Sequence, residues 1–205
     1  LGCGRFAAEM PCREECTAQP HLRTRYDPPM SSLPTLTLGH SPDPDDAFMW
    51  WPLVGLDGEG PAFDTGRFRF ETIAQDIETL NRRAERAELD ITAMSCAQYP
   101  RVARDYVLTA CGASVGDGYG PRLVSTRALT PEEIVASDLL VAVPGERTTA
   151  FLVTSLLLGP GRFRYVAMDF DRITDAIRSG QCDAGVVIHE GQLTHEADGL
   201  RLVAD

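Results

Sequence analysis

The sequence predicts an α/β fold in two lobes with mostly parallel sheets, on three observations. Strand-like and helix-like segments alternate from Leu33 to the last residue, as βαβ units do. A Gly-rich stretch, GASVGDGYGP (112–121), breaks the alternation and reads as a crossover between lobes. Superposing Asp90 on Asp183 lays LNRRAERAELDITAMSC over ITDAIRSGQCDAGVVIH, each a helix, a short turn, an Asp and a small or apolar strand. The expected boundaries are 1–32 for a disordered or non-native N-terminal extension, 33–121 for a first lobe and 122–205 for a second.

Residues 1–32 carry neither helical nor strand period, and their four Arg balance four acids. They lack the basic and then apolar order of a secretory signal. From Leu33, LTLGH reads as a strand. DPDDAFMWWPL reads as a helix whose first turn is acidic, where the helix dipole favours carboxylates. RFRFETI alternates like a strand. DIETLNRRAERAEL places Ile77, Leu80, Ala84 and Ala87 on one helical face. DITAMS is a strand, AQYPRVARDY a short helix and YVLTAC a further strand. Beyond the crossover, LLVAVPG, TTAFLVTSLLL, FRYVAM, FDRITDAIRSG and CDAGVVI continue strand, helix, strand, helix, strand, and LRLVAD is a last strand.

The net charge of −11 argues against nucleic acid, which needs a basic face to displace counterions. The longest apolar run, FLVTSLLL, has eight residues, against roughly 20 for a membrane span. Six cysteines occur without a CxxC. Cys3, Cys12 and Cys16 crowd the first residues while Cys96, Cys111 and Cys182 stand singly, which favours ordinary thiols in a reducing cytoplasm over disulfides or a metal.

Three constellations could carry chemistry. In GHSPDPDDAF, Ser41 and the amides around Asp45 and Asp46 open a helix and could seat an anionic group, or simply cap it. VPGERTTAF repeats the device: a strand ends, Pro144–Gly145 turns, Thr148 and Thr149 open a helix, and Arg147 stands near for charge. His189 ends an apolar strand beside Glu190, in the protonation range that suits a general base. His40 and His195 are not at metal-ligand spacing with it.

In this order, GHSPDPDDAF, DIETLN, ELDITAMS, GASVGDGYGP, VPGERTTA and DAGVVIHE resemble the 1,4-dihydroxy-6-naphthoate synthase family of the futalosine route to menaquinone, over about residues 33–205. The resemblance implies the two-lobed type II periplasmic-binding-protein fold. It implies a cytoplasmic carbon–carbon lyase that converts cyclic dehypoxanthinyl futalosine to the dihydroxynaphthoate, with no metal or organic cofactor. It makes His189 the proton acceptor and lines the substrate site with Ala93, Met94, Ser95, Thr148 and Thr149. The implied partner is a small anionic substrate, with neither nucleic acid nor membrane; oligomeric state is not implied. The chain departs from the family in carrying Asp43 and Asp45 where Cys and Asn are usual, and Ala93 where Lys is frequent. The family also continues past Asp205, so the second half of the first lobe is expected to be missing. A solute-binding protein without chemistry and a related pathway enzyme are the rival readings.

Overall fold

The computed structural model describes residues 33–55, 59–110, 112–118, 120–188 and 191–205, except the Asp45 side chain. In the first of its two sheets, β1 (Thr35–His40) lies between β2 (Arg69–Ala74) and β3 (Ile91–Thr92), parallel to both. Three helices accompany it: α1 (Pro44–Val54), α2 (Ile77–Ala84) and α3 (Tyr99–Val102). Helix α2 begins at Asp76, whose side chain accepts the Thr79 N–H at 3.0 Å. It buries Leu80 and Ala84 completely. A Cβ on Gly39 would stand 2.7 Å from Leu89 and 2.8 Å from Leu80, so the missing side chain is what lets these two residues close onto β1.

The second sheet runs β6–β5–β7–β4–β8, from β4 (Arg122–Ser125), β5 (Leu140–Val143), β6 (Arg164–Ala167), β7 (Ala184–Val187) and β8 (Arg201–Ala204). Strands β5, β6 and β7 are parallel, whereas β4 pairs antiparallel with both β7 and β8. Helices α4 (Pro131–Ala136), α5 (Thr149–Leu158), α6 (Phe170–Arg178) and α7 (Gly191–Thr194) complete this half. Successive strand residues face opposite sides. Val141, Val143, Ala184 and Val186 pack with Ile134, Ala150 and Phe163 on one side, and Ala142 and Val187 with Ile173 and Ile177 on the other. A sheet covered on both faces gives uninterrupted apolar strands, which is why LLVAVPG and CDAGVVI read as they do. Residues 33–205 form one compact unit.

The echo between Asp90 and Asp183 has a physical cause. Asp90 accepts the Thr37 N–H at 2.8 Å, one residue before Leu38 pairs with Ile91. Asp183 accepts the Leu140 N–H at 2.9 Å, one residue before Val141 pairs with Ala184. In both sheets the carboxylate accepts a backbone N–H of the neighbouring strand just before the pairing begins. Thr37 holds the Asp90 carboxyl below the usual carboxylate range, chiefly through that backbone N–H. Asp183→Ala should therefore leave the Leu140 N–H unmet and lower unfolding stability by about 1–3 kcal/mol. Asp90→Ala, at a more exposed site, should lose less, as urea midpoints will show.

Three expectations are corrected. DIETLNRRAERAEL is helical only to Ala84, because the chain turns left-handed at Ala87 (φ 50°), which is exposed instead of lying on the buried face. DITAMS pairs only at Ile91–Thr92, since the Ser95 N–H leaves the sheet for the Asn81 side chain. YVLTAC forms no strand among the described residues: Val107 and Leu108 are 86% and 68% exposed, and no described strand lies beside them to pair with. Cys111 lies outside the described residues. The expectation of mostly parallel sheets holds, with four of the six pairings parallel; both antiparallel ones involve β4, in a stretch the sequence reading passed over.

Candidate functional site

Helix α2 has a second working face beside its buried one. Glu78, Asn81 and Glu85 follow the helical spacing i, i+3, i+7 and meet the turn that leaves β5. The Arg147 N–H donates to Glu78 Oε2 at 2.9 Å, and its guanidinium Nε donates to Glu85 Oε1 at 2.6 Å. Asn81 Nδ2 reaches the Arg147 carbonyl at 3.4 Å. The two sheets are thus tied together at the carboxyl ends of their strands, where open α/β sheets take ligands.

The loop after β3 joins the same place. The Ser95 N–H donates to Asn81 Oδ1 at 2.9 Å, and Asn81 Nδ2 donates to Ser95 Oγ at 3.0 Å. Two residues on, the Ala97 N–H donates to Thr149 Oγ1 at 3.3 Å. Ser95 and Thr149 are both half-buried, and each hydroxyl oxygen accepts an N–H. Among the described residues neither hydroxyl proton has an acceptor, so both remain for a ligand. Two such donors from two sheets suit an anionic group.

The other expected site residues fare differently. Thr148 is 3% exposed; its hydroxyl donates to the Gly145 carbonyl at 2.7 Å and accepts the Phe151 N–H at 3.1 Å, so it caps α5. Ser41 is 5% exposed, with its N–H on Asp46 Oδ2 at 2.7 Å and its hydroxyl on the Asp43 carboxylate. In this conformation the loop's own carboxylates hold both Ser41 donors, and an incoming anion must displace one. Ala93 and Met94 are half-buried, with the Ala93 N–H on the Gly39 carbonyl at 2.8 Å. His189 and Glu190 lie outside the described residues; Ile188, just before them, packs half-buried against the core of the second sheet. His40 stacks on Trp50 at 4.4 Å, and its Nδ1–H donates to the Ser41 carbonyl.

Arg147, expected to supply free charge, is instead engaged by Glu85 and, at 3.7 Å, by Glu78. The hydrogen bond from Arg147 holds Glu85 below the usual carboxylate range, and Glu85 in turn raises Arg147. Asn81 escaped the sequence reading, although its signal was present. It stands at i+4 from Ile77 inside the apolar stripe and is wholly buried, where a polar side chain needs partners. Arg147→Ala should lower stability by about 1 kcal/mol at neutral pH, as expected of a partly exposed ion pair. Because Glu85 titrates lower in the fold than in the open chain, its contribution is present above the ordinary carboxylate range and is lost as pH falls through the depressed value. Wild type and variant should therefore converge in urea unfolding at pH below the ordinary carboxylate range and in high salt.

Among the described residues no group of three or more His, Cys, Asp or Glu could hold a metal ion. Cys96 is exposed and Cys182 buried, both free, and burial pushes the Cys182 thiol up. No helix of the described residues is long and apolar enough to cross a membrane.

Residues 36–205 match the family model described as menaquinone biosynthesis. Two proteins named 1,4-dihydroxy-6-naphthoate synthase are similar to the chain. That of Thermus thermophilus is 36% identical over 173 residues, covering 84% of this chain and 59% of the relative. That of Streptomyces coelicolor is 39% identical over 179 residues, covering 85% and 60%. A crystal structure from Archaeoglobus fulgidus superposes with a TM-score of 0.73 at 39% identity, over 83% of this chain and 60% of the other. The alkanesulfonate-binding protein of Xanthomonas axonopodis pv. citri superposes at 0.57 with 15% identity, over 83% and 60%, and shares the fold alone. The chain spans about 60% of the length of the curated relatives it matches. Its architecture is the two-lobed, periplasmic-binding-protein-like α/β fold, and by the extent and identity of these matches the chain belongs to the menaquinone-biosynthesis family.

Proposed function

We propose that this protein is a lyase that converts cyclic dehypoxanthinyl futalosine to 1,4-dihydroxy-6-naphthoate in the cytoplasm, with its two sheets as the two lobes, divided between residues 121 and 122. His189 is the proton acceptor. Ser95 and Thr149 hold the substrate's carboxylate, Ala93 and Met94 line the wall beside them, and Thr148 and Ser41 shape the two helix ends. The observation that carries this reading is that the loop after β3, which bears Ser95, bonds through the Ala97 N–H to Thr149 at the start of α5, and that neither hydroxyl proton has an acceptor among the described residues. With Ala93 in place of a cation, the carboxylate is met by neutral donors. Such donors, fixed in advance, bind an anion with little reorganisation. Removal of one proton by His189 then starts the fragmentation that leaves the aromatic naphthoate and frees the sugar-derived piece. The test is incubation of the purified 205-residue chain with the cyclic compound, following the naphthoate by chromatography. Formation of the naphthoate supports the lyase. Tight binding without turnover would identify a solute-binding protein instead.

A further inference from the structure

We propose that Asn81 is a positioning residue that fixes which way the Ser95 hydroxyl donates, an assignment that rests on the functional reading above. Asn81 is wholly buried in α2, and every polar group of its side chain is engaged. The Ser95 N–H can only donate and the Arg147 carbonyl can only accept. Between them they set the amide with its oxygen toward the Ser95 backbone and its nitrogen toward the Ser95 hydroxyl. That nitrogen donates to Ser95 Oγ at 3.0 Å. The hydroxyl is therefore an acceptor on the side of α2, and its proton is turned to the half-exposed side. Without the amide, the same hydroxyl could donate inward and offer a ligand only lone pairs, which repel a carboxylate.

Two further observations give the arrangement its sense. The Ala97 N–H imposes the same polarity on Thr149 at 3.3 Å, so both hydroxyls present protons together. The Asn81 backbone carbonyl also accepts Gln98 Nε2 at 3.2 Å, from a side chain that is itself wholly buried. Asn81 is thus held from both its backbone and its side chain, and a group so fixed transmits its orientation to the residue it clasps.

Asn81→Asp is the discriminating change. It keeps the size of the side chain and the acceptor for the Ser95 N–H, but replaces the donor with an oxygen that draws the Ser95 proton inward. With the full 205-residue chain, Asn81→Asp should raise KM for cyclic dehypoxanthinyl futalosine roughly tenfold while kcat stays within about twofold. Ser95→Ala should do the same, and the double variant should be no worse than either single one, since both remove one interaction. Benzoate, as a plain aryl carboxylate, provides a readout independent of turnover: its affinity, followed by NMR titration, should fall in parallel in both single variants. Should Asn81→Asp fail to fold, Asn81→Ala carries the same comparison with the hydroxyl left unoriented. Unchanged KM and benzoate affinity in a folded Asn81 variant overturn the proposal, as do losses that multiply in the double variant. If the wild type binds benzoate in an Asn81-dependent way yet leaves the cyclic compound untouched, the lyase reading falls and the positioning role stands. If neither compound is bound, both fall.

Discussion

His189→Ala is expected to lower kcat on cyclic dehypoxanthinyl futalosine by about 10³-fold or more, within the range for loss of a general base, while leaving the unfolding midpoint unchanged. The expectation rests on division of labour. Ser95 and Thr149 offer donors, which hold an anion but cannot take a proton from carbon at neutral pH. Glu78 and Glu85, on the helix beside them, are both engaged by Arg147. The residue proposed for that step is His189, which follows Ile188 in the chain after β7; β7 runs parallel to β5, the strand before the Thr149 helix. Kinetics separates the roles. Ser95→Ala should chiefly raise KM, whereas His189→Ala should chiefly lower kcat. Turnover near the wild-type rate in a folded His189→Ala protein would sink the assignment and with it the proposed chemistry.

The sequence made the second sheet legible because burial on both faces leaves a simple signal. LLVAVPG and CDAGVVI could only be interior strands, and FDRITDAIRSG shows its apolar stripe at Ile173 and Ile177 plainly. The site was less legible, for reasons of local chemistry. Thr148 and Thr149 are equivalent in a sequence, yet the first is an N-cap with both hydrogen-bonding directions engaged and the second, among the described residues, only accepts, from the Ala97 N–H. Ser41 resembles an anion seat until Asp43 and Asp46 are seen to accept its two donors. The TPEE start of α4, a capping box with Thr130 and Glu133 bonded reciprocally, was present to be read and was missed. YVLTAC misled because β-propensity predicts a strand only where a neighbour supplies the other half of the ladder. Long-range ties such as Glu78 to Arg147, 69 positions apart, leave no periodic trace.

Gly145→Ala should have the largest effect on the assembly of the site. Gly145 sits at φ 145°, a conformation that residues with a side chain rarely adopt, in a buried turn. An added Cβ would also lie 2.5 Å from Glu78 Oε2 and 2.6 Å from Glu78 Cγ and Cδ. A glutamate end would ordinarily swing aside, but this one is held by the Arg147 N–H at 2.9 Å and by Arg82 Nε at 3.0 Å. Making room therefore breaks the tie between α2 and the turn. The weaker contacts that depend on it, Asn81 to the Arg147 carbonyl and Ala97 to Thr149, go with it. Backbone strain of about 1–3 kcal/mol and about 1 kcal/mol for each of the three lost hydrogen bonds predict a total loss of about 4–6 kcal/mol. The affinity for benzoate should fall at least tenfold, because Thr149 is no longer bonded to the loop that carries Ser95. The two costs can be told apart by adding Glu78→Ala, which removes the steric conflict and leaves the strained φ. The double variant should then recover part of the stability of Gly145→Ala, though not the affinity. If it recovers nothing, the cost is backbone strain alone; if Gly145→Ala binds and unfolds like wild type, the turn is not what brings the two hydroxyls together.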